Sequence, residues 1–359
     1  MDFSLSDDQA VLTQSVARLI SASASDRELL QRFIDFGIFQ LAHGLSEGED
    51  GASAVVDIAL VFEELGKAAQ STPAILNGLI ATTLIGRSAG HRALLSSLLD
   101  GTSTATLSYL EPDRGYAADP VTTTFRRADG SIVLDGEKVY VSGGADADTI
   151  IVSALGEDGR PGLIVVPREA DGLAVQGYQL IDGSSAADLA LRGVRLPASA
   201  LLDGVDQACL DRVLDLAALW ETAETVGCME AIIGLTADYV STRRQFGKVI
   251  GSFQSIQHQM ADMVIAVEMA RSAVFAALGD FHTQPAVRAR SVSAAKVQGI
   301  QSGRTVGNTG IQLHGGIGMA IENAVGRYHH RIVASAHRFG DLAFHRRRFT
   351  KSRDDTSLI

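Results

Sequence analysis

Hydrophobic spacing divides the chain into three stretches. From residue 1 to about 104 the apolar positions recur at helical intervals. Leu12, Val16, Leu19 and Ile20 fall on one helix face, and Val55, Ile58, Ala59, Phe62 and Leu65 on another. Ser6 ahead of Asp7-Asp8-Gln9 is a capping-box pattern that predicts a helix start, and Gly66 predicts a helix stop. The middle stretch changes to short β-rich runs punctuated by turn residues. Thr122-Thr123-Thr124-Phe125 and Ile132-Val133-Leu134 flank Asp129-Gly130, a hairpin signal, and Asp135-Gly136 predicts a second turn before Val139-Tyr140-Val141. Thr149-Ile150-Ile151-Val152 and Leu163-Ile164-Val165-Val166 bracket Gly156-Glu157-Asp158-Gly159, while Asp171-Gly172 and Asp182-Gly183 add further turns. Strands so short and evenly spaced predict an antiparallel barrel or sandwich. After about residue 205 long amphipathic runs return, over 207–243, 253–280, 286–309 and 321–348, broken by Pro285 and by glycines near Gly315. The pattern predicts an α+β protein: a helical domain over 1–104, a β-domain over 105–203 and a four-helix bundle over 204–359.

Composition narrows the function classes. The chain has 359 residues, 46% of them hydrophobic, enough for a large core. A net charge of −11 argues against a general nucleic-acid binder. Arg346-Arg347-Arg348 reads as a solvated helix end. Cys209 and Cys228 are the sequence's two cysteines, which favours a reducing compartment and excludes a disulfide framework. No stretch reads as a signal peptide or a membrane span, so a cytoplasmic protein without a membrane association is expected. His329, His330, His337 and His345 show no metal-site spacing, and no metal is expected.

Two segments in the last third combine residue types suited to a phosphorylated cofactor. The first is Arg243-Arg244-Gln245-Phe246-Gly247-Lys248, followed by Phe253-Gln254. Arginine offers planar, charge-assisted donors to a phosphate. Phe246 offers a face to a purine, Gly247 allows a sharp turn, and Gln254 can pair with an amide or ring edge. The plainer reading is a helix C-terminus carrying favourable positive charge, with a core phenylalanine. The second segment is Gln312-Leu313-His314-Gly315-Gly316-Ile317-Gly318. Its glycines would let backbone N–H groups approach a pyrophosphate; the plainer reading is an interhelical turn, with His314 in packing or at the surface.

The two motifs occur together behind a β-domain, and that combination resembles the acyl-CoA dehydrogenase family. The likeness covers nearly the whole chain and is strongest from about 226 to 331. It implies a flavin site between the β-domain and the C-terminal helices, with FAD as cofactor and an acyl-CoA thioester as substrate. Arg243, Gln245, Phe246, Gln254, Gln312, Gly315 and Gly316 match the residues that, in family dimers, reach across an interface to a neighbouring subunit's FAD. In the β-domain, Tyr140-Val141-Ser142 matches the aromatic-x-Ser/Thr beside the isoalloxazine, with Ser142 placed to hydrogen-bond N5. Leu110-Glu111-Pro112-Asp113-Arg114-Gly115-Tyr116 keeps the family's Glu-Pro but loses the Gly-Ser portion that follows it.

The resemblance also implies a glutamate base that removes the thioester's α-proton while the β-hydrogen leaves as hydride. Counted without gaps, its usual position falls on Phe339, ahead of Gly340, and the family's second position falls on Ala217. Neither side chain can accept a proton. Glu221, Glu224 and Asp341 are the remaining nearby acids. The preferred expectation is therefore a subunit of a heterotetramer in which a glutamate-bearing acyl-CoA dehydrogenase chain supplies the base. The smaller subunits of bacterial steroid side-chain dehydrogenases are similar, in Leu-Thr-Ala-Asp-Tyr at 235–239 and Leu-His-Gly-Gly-Ile-Gly-Met at 313–319. The resemblance further implies an electron-transferring flavoprotein as acceptor. A self-sufficient homo-oligomer with a relocated base, and a flavin-free binding protein on the same fold, remain as alternatives.

Overall fold

The computed structural model describes residues 5–47, 51–70, 73–119, 122–320 and 322–354. Six helices come first: α1 (Asp7–Ala22), α2 (Asp26–Asp35), α3 (Ile38–Glu47), α4 (Gly51–Lys67), α5 (Pro73–Ile85) and α6 (Arg92–Leu99). Seven strands follow: β1 (Ala105–Ser108), β2 (Thr124–Ala128), β3 (Ser131–Ser142), β4 (Thr149–Gly156), β5 (Pro161–Pro167), β6 (Leu173–Gln179) and β7 (Ser185–Pro197). The chain then forms α7 (Gln207–Thr242), the two-residue strands β8 (Arg244–Gln245) and β9 (Lys248–Val249), α8 (Gln254–Gly279), α9 (Pro285–His314), α10 (Ala324–Ser335) and α11 (Leu342–Asp354). These elements belong to two compact units. One holds Met1–Ala22, Val55–Ser71 and Ala218–Ile359; the other holds Ser23–Ala54 and Thr72–Ala217. The helical stretch expected over 1–104 is thus shared between them. Among the described residues no helix is long and apolar enough to cross a membrane.

In the second unit the strands form one sheet, ordered β1-β4-β2-β3-β7-β6, with β5 on the other edge of β4. The expected antiparallel pattern holds for β2·β3, β3·β7, β6·β7 and β4·β5, whereas β1 and β2 both pair with β4 in parallel. Asp129 (φ +50°) and Gly130 (φ +73°) make the expected β2–β3 turn, both in the left-handed region that a two-residue hairpin requires. Asp135-Gly136 is not a turn. β3 continues through it, and the register with β7 shifts between Leu134 and Gly136. A Cβ at Gly136 (φ +148°) would lie 2.5 Å from the Thr123 Cα, so the glycine serves a close backbone approach inside a bulge. Ile132, Leu134, Ile150, Val152, Ile164 and Val166 fill the sheet's core. α5 is apolar apart from Asn77, Thr82 and Thr83 and is buried from Ile75 to Ile85, as suits an internal helix.

In the first unit the capping box forms as expected: the Gln9 N–H donates to Ser6 Oγ at 3.2 Å, and the Ser6 N–H to Gln9 Oε1 at 3.1 Å. Gly66 does not end α4, which runs on to Lys67; the turn comes after it, at Ala69 (φ +52°). The glycine instead lets α4 approach α7. A Cβ at Gly66 would sit 2.0 Å from the Glu224 carbonyl oxygen, and one at Gly227 would sit 1.9 Å from that of Glu63. Trp220 completes this contact: its ring stacks on Phe62 at 6.0 Å, and its Nε1–H donates to the Val55 carbonyl at 3.2 Å. α8, α10 and α11 all pack on α9. The single helix expected over 321–348 is two; Ile321 lies outside the described residues. Phe339 (φ +55°) and Gly340 (φ +114°) reverse the chain between α10 and α11, because left-handed residues cannot continue a right-handed helix.

The α4–α7 approach yields a paired expectation. Gly227→Ala should destabilise the protein by roughly 1–3 kcal/mol or more, since backbone must move to admit the methyl group. Gly234→Ala lies exposed on the same helix with nothing within 4 Å of the new Cβ, and should stabilise by about 0.5–1 kcal/mol. Urea midpoints for the two variants test the assignment; equal destabilisation would contradict it.

Candidate functional site

α7 ends at Thr242 and releases an exposed segment. The Arg243 N–H donates to the Tyr239 carbonyl at 2.9 Å, and the Arg243 carbonyl accepts from the Ile250 N–H at 2.9 Å, so the residue closes a small loop. Within it β8 and β9 form a hairpin whose two turn residues, Phe246 (φ +51°) and Gly247 (φ +78°), are both left-handed. Glycine or asparagine fills such a position at less cost than an aromatic. The Phe246 ring nevertheless stands 90% exposed, edge-on to Phe253 at 6.2 Å. Lys248 Nζ lies 4.1 Å above the Phe253 ring, a cation–π contact. Arg243, Arg244, Gln245 and Gln254 are exposed beside it. A core role for Phe246 is therefore excluded.

The second motif is joined to the end of α7 through His314, which stacks on Tyr239. α9 ends at His314, and Gly315 (φ +65°) leads into a 3₁₀ turn over Gly315–Met319. Gln312, Gly315 and Gly316 are exposed, and a Cβ built at either glycine would meet nothing within 4 Å. His314 is buried in packing: its ring stacks on Tyr239 at 4.5 Å, and Nδ1–H donates to the Gly310 carbonyl at 2.9 Å. Tyr239 sits one turn before Arg243, so the two motifs share one end of the helical unit. An exposed aromatic, two arginines and an open glycine turn suit a planar base joined to a pyrophosphate. The residues present fit FAD.

Tyr140 and Ser142 lie at the end of β3, in the other unit. Tyr140 is left-handed (φ +53°), inside a register shift between Lys138 and Val141. Its N–H donates to Asp188 Oδ1 at 2.9 Å, and the Tyr178 hydroxyl donates to the same oxygen at 3.0 Å. The Ser142 carbonyl accepts from Asn77 Nδ2 and from Thr106 Oγ1, both at 2.7 Å. Strained backbone of this kind persists where the surroundings hold it firmly. Glu111 is buried below the surface. Its carboxylate accepts from the Thr122 and Thr123 N–H groups at 2.9 Å each and from Lys138 Nζ at 3.1 Å. Lys138 also donates to Ser153 Oγ at 3.0 Å, and burial pushes its pKa down to about 8 against the pull of Glu111.

The positions where a base was expected carry no proton acceptor. Ala217 is fully buried, and Phe339 forms the corner between α10 and α11. His345 holds that corner. Its Nε2–H donates to the Phe339 carbonyl at 3.0 Å, which leaves Nδ1 to accept from the Ser293 hydroxyl at 3.3 Å. Burial and the nearby Lys296 charge push the His345 pKa down to about 3. Asp341 caps α11, accepting from the Phe344 N–H at 2.7 Å. Glu221 and Glu224 are buried within α7. Arg338 Nη1 donates to Glu221 at 3.0 Å, and Arg331 Nε donates to Glu224. Lys296 Nζ donates to the Ser335 carbonyl at 2.9 Å. Burial alone would raise Glu221, but Arg338, Lys296 and Arg331 outweigh it and hold the carboxyl below its usual range. For Glu224 burial wins over Arg331, and the neighbouring Glu221 charge adds to it, so its pKa is raised. The partners Lys296, Arg331 and Arg338 are absent from the sequence reading. Their signal was a pair of glutamates three apart in an apolar stretch of α7, which need compensating charge once buried.

Two outcomes are expected. Glu221→Gln or Arg338→Met alone should cost about 3–5 kcal/mol, because each leaves an uncompensated buried charge, while the double variant should cost less than the sum; additive losses in a double-mutant cycle would contradict the pairing. His345 is neutral in the fold, while in the unfolded chain it takes up a proton near pH 6.5. Its contribution is therefore present above pH 6.5 and lost as pH falls towards 3, at up to about 1.4 kcal/mol per pH unit. Denaturant titrations across that window should show a shallower slope for His345→Gln.

Known proteins of one family resemble this chain over most of its length. Residues 106–194 match the acyl-CoA dehydrogenase middle domain and residues 203–352 the acyl-CoA dehydrogenase C-terminal domain. A probable acyl-CoA dehydrogenase of Bacillus subtilis, YngJ, is 30% identical over 289 residues, covering 76% of this chain and 75% of the relative. Acyl-CoA dehydrogenase FadE12 of Mycobacterium tuberculosis is 29% identical over 292 residues, covering 77% of this chain and 74% of the relative. The fold is that of the ChsE4-ChsE5 complex from Mycobacterium tuberculosis, with a TM-score of 0.87 at 22% identity over 100% of both chains. A steroid dehydrogenase variant, Tcur3481-Tcur3483, superposes with a TM-score of 0.84 at 24% identity, over 97% of this chain and 98% of that one. The chain is a member of the acyl-CoA dehydrogenase family of FAD-dependent oxidoreductases.

Proposed function

We propose that this chain is the base-lacking subunit of a heterotetrameric acyl-CoA dehydrogenase, working beside a glutamate-bearing chain of the same family. The observation that carries the reading is a contrast within one helical unit. The cofactor-side residues Arg243, Gln245, Phe246, Gln254, Gln312, Gly315 and Gly316 stand exposed around an open glycine turn. The acids near the expected base positions are committed elsewhere, Glu221 and Glu224 to arginines and Asp341 to a helix cap. Arg243 would take the pyrophosphate of a partner's FAD, Phe246 would cover its adenine, and the Gly315-Gly316 N–H groups would line the phosphate side. Tyr140 and Ser142 are the residues that would face an isoalloxazine ring from this chain. Bound FAD would supply the hydride acceptor for the β-hydrogen, and a glutamate of the partner chain would take the α-proton. A bulky steroid side-chain ester is the acyl group we favour, since the structural neighbours include a steroid dehydrogenase. An electron-transferring flavoprotein is the acceptor we assign by family likeness.

Co-expression with a glutamate-bearing dehydrogenase chain tests the proposal. FAD retention and acyl-CoA turnover are expected in the assembled complex and not in this chain alone. Arg243→Ala should weaken FAD binding by the complex roughly 10–100-fold, the loss typical of a hydrogen bond to a charged group. A yellow homo-oligomer of this chain that dehydrogenates an acyl-CoA unaided would overturn the assignment, and FAD affinity unaffected by Arg243→Ala would overturn the role of the exposed hairpin.

A further inference from the structure

The half-site just described is made of two separate pieces, a hairpin after α7 and a glycine turn after α9. Neither carries its own core: the residues around 243–248 and at 315–317 are exposed. Something must fix their spacing, because a pyrophosphate gripped from two sides tolerates little misplacement. His314 stands at the junction and makes contact in three directions. Its ring lies on Tyr239 at 4.5 Å and 21°, near the parallel stacking that aromatic pairs favour. Its Nδ1–H returns to the Gly310 carbonyl at 2.9 Å, which fixes the ring against its own helix. The 3₁₀ turn that follows packs at its Cβ, so close that a Cβ at Gly318 would lie 3.0 Å from the His314 Cβ and 2.7 Å from the Ile311 carbonyl oxygen. Beneath the stack, Gly310 brings α9 onto α7, with a Cβ there only 2.5 Å from Ile232 Cγ2.

We infer that His314 and Tyr239 act as a brace that sets the distance between the Arg243 hairpin and the Gly315-Gly316 turn, making both residues positioning residues for FAD. This rests on the reading that those two segments bind the cofactor. Tyr239 passes the constraint onward directly, since its carbonyl accepts the Arg243 N–H at 2.9 Å. The brace acts through ring area and one hydrogen bond, neither of which touches the cofactor. A phenylalanine at position 314 would keep the stack and lose the hydrogen bond, whereas an alanine would lose both.

The test is FAD titration of the assembled complex, stripped of flavin, followed by flavin fluorescence quenching, with turnover measured at saturating FAD. His314→Ala and Tyr239→Leu should each raise the FAD Kd about tenfold, about 1.4 kcal/mol. The double variant should be little worse than either single one, and kcat at saturating FAD should be unchanged. His314→Phe should recover most of the affinity. Should His314→Ala fail to assemble, Tyr239→Leu and His314→Phe carry the same comparison. If Arg243→Ala weakens FAD binding while His314→Ala and Tyr239→Leu leave it unchanged, the brace is wrong and the half-site stands. If Arg243→Ala has no effect either, the half-site reading itself has failed.

Discussion

Charge burial in α7 is the constraint around which the helical unit is arranged. Two carboxylates, Glu221 and Glu224, lie inside a helix whose neighbours include Trp220, Ala223 and Val226, all buried. Ionised groups so placed must be neutralised where they stand. The compensation comes from distant sequence: Lys296 on α9, Arg331 on α10 and Arg338 beside the α10–α11 corner. That requirement ties three elements to α7 at one level. It also explains why the chain turns at Phe339, since Arg338 must point inward while the backbone reverses. His345 then closes the corner from α11.

A second device recurs on a smaller scale. Close backbone approach is concentrated at glycines that face a neighbouring main chain, Gly66 and Gly227 between α4 and α7 and Gly136 inside β3. Gly315 and Gly316 are different. No atom crowds the space their side chains would fill, so packing does not account for them. Left-handed Phe246 and Tyr140 make the same distinction among the non-glycine residues, since both are aromatic where a turn or a bulge would suit smaller side chains better. Close packing accounts for the first set, and at Gly315 (φ +65°) the left-handed backbone itself calls for glycine.

Much of this was legible in the sequence, and the parts that were not have a common cause. Periodicity located α7, α8 and α9 within a few residues, and the Ser6–Gln9 box and the Asp129-Gly130 hairpin follow from local hydrogen-bonding and φ preferences alone. Gly66, Asp135-Gly136 and the run over 321–348 were misread because a glycine or an apolar period looks the same whatever packs against it. Gly66 answers to Glu224, Gly136 to Thr123, and the α10–α11 corner to Phe339 and Gly340. The residues of the two motifs were identifiable, but their adjacency depends on the Tyr239–His314 stack, which no local pattern encodes. The three cations around Glu221 and Glu224 were equally hidden, since a partner far along the chain leaves no periodic trace.

The geometry of α7 keeps its buried carboxylates well apart from the exposed end of the helix. At 1.5 Å per residue, the length of α7 from Glu224 to Tyr239 is about 22 Å. The buried ion pairs and the Arg243 hairpin therefore lie at separate levels of one helix, beyond the range at which substitutions normally couple. Changes at Ala217, Glu221 or Phe339 can settle into packing and charge pairing without moving Arg243 or Gly315. The reverse also holds, because the Tyr239–His314 stack and Gly310 hold the exposed end of the helix locally. Under the proposed function, separation of this kind would let the base reside on a partner subunit while this chain keeps its cofactor-side residues in place.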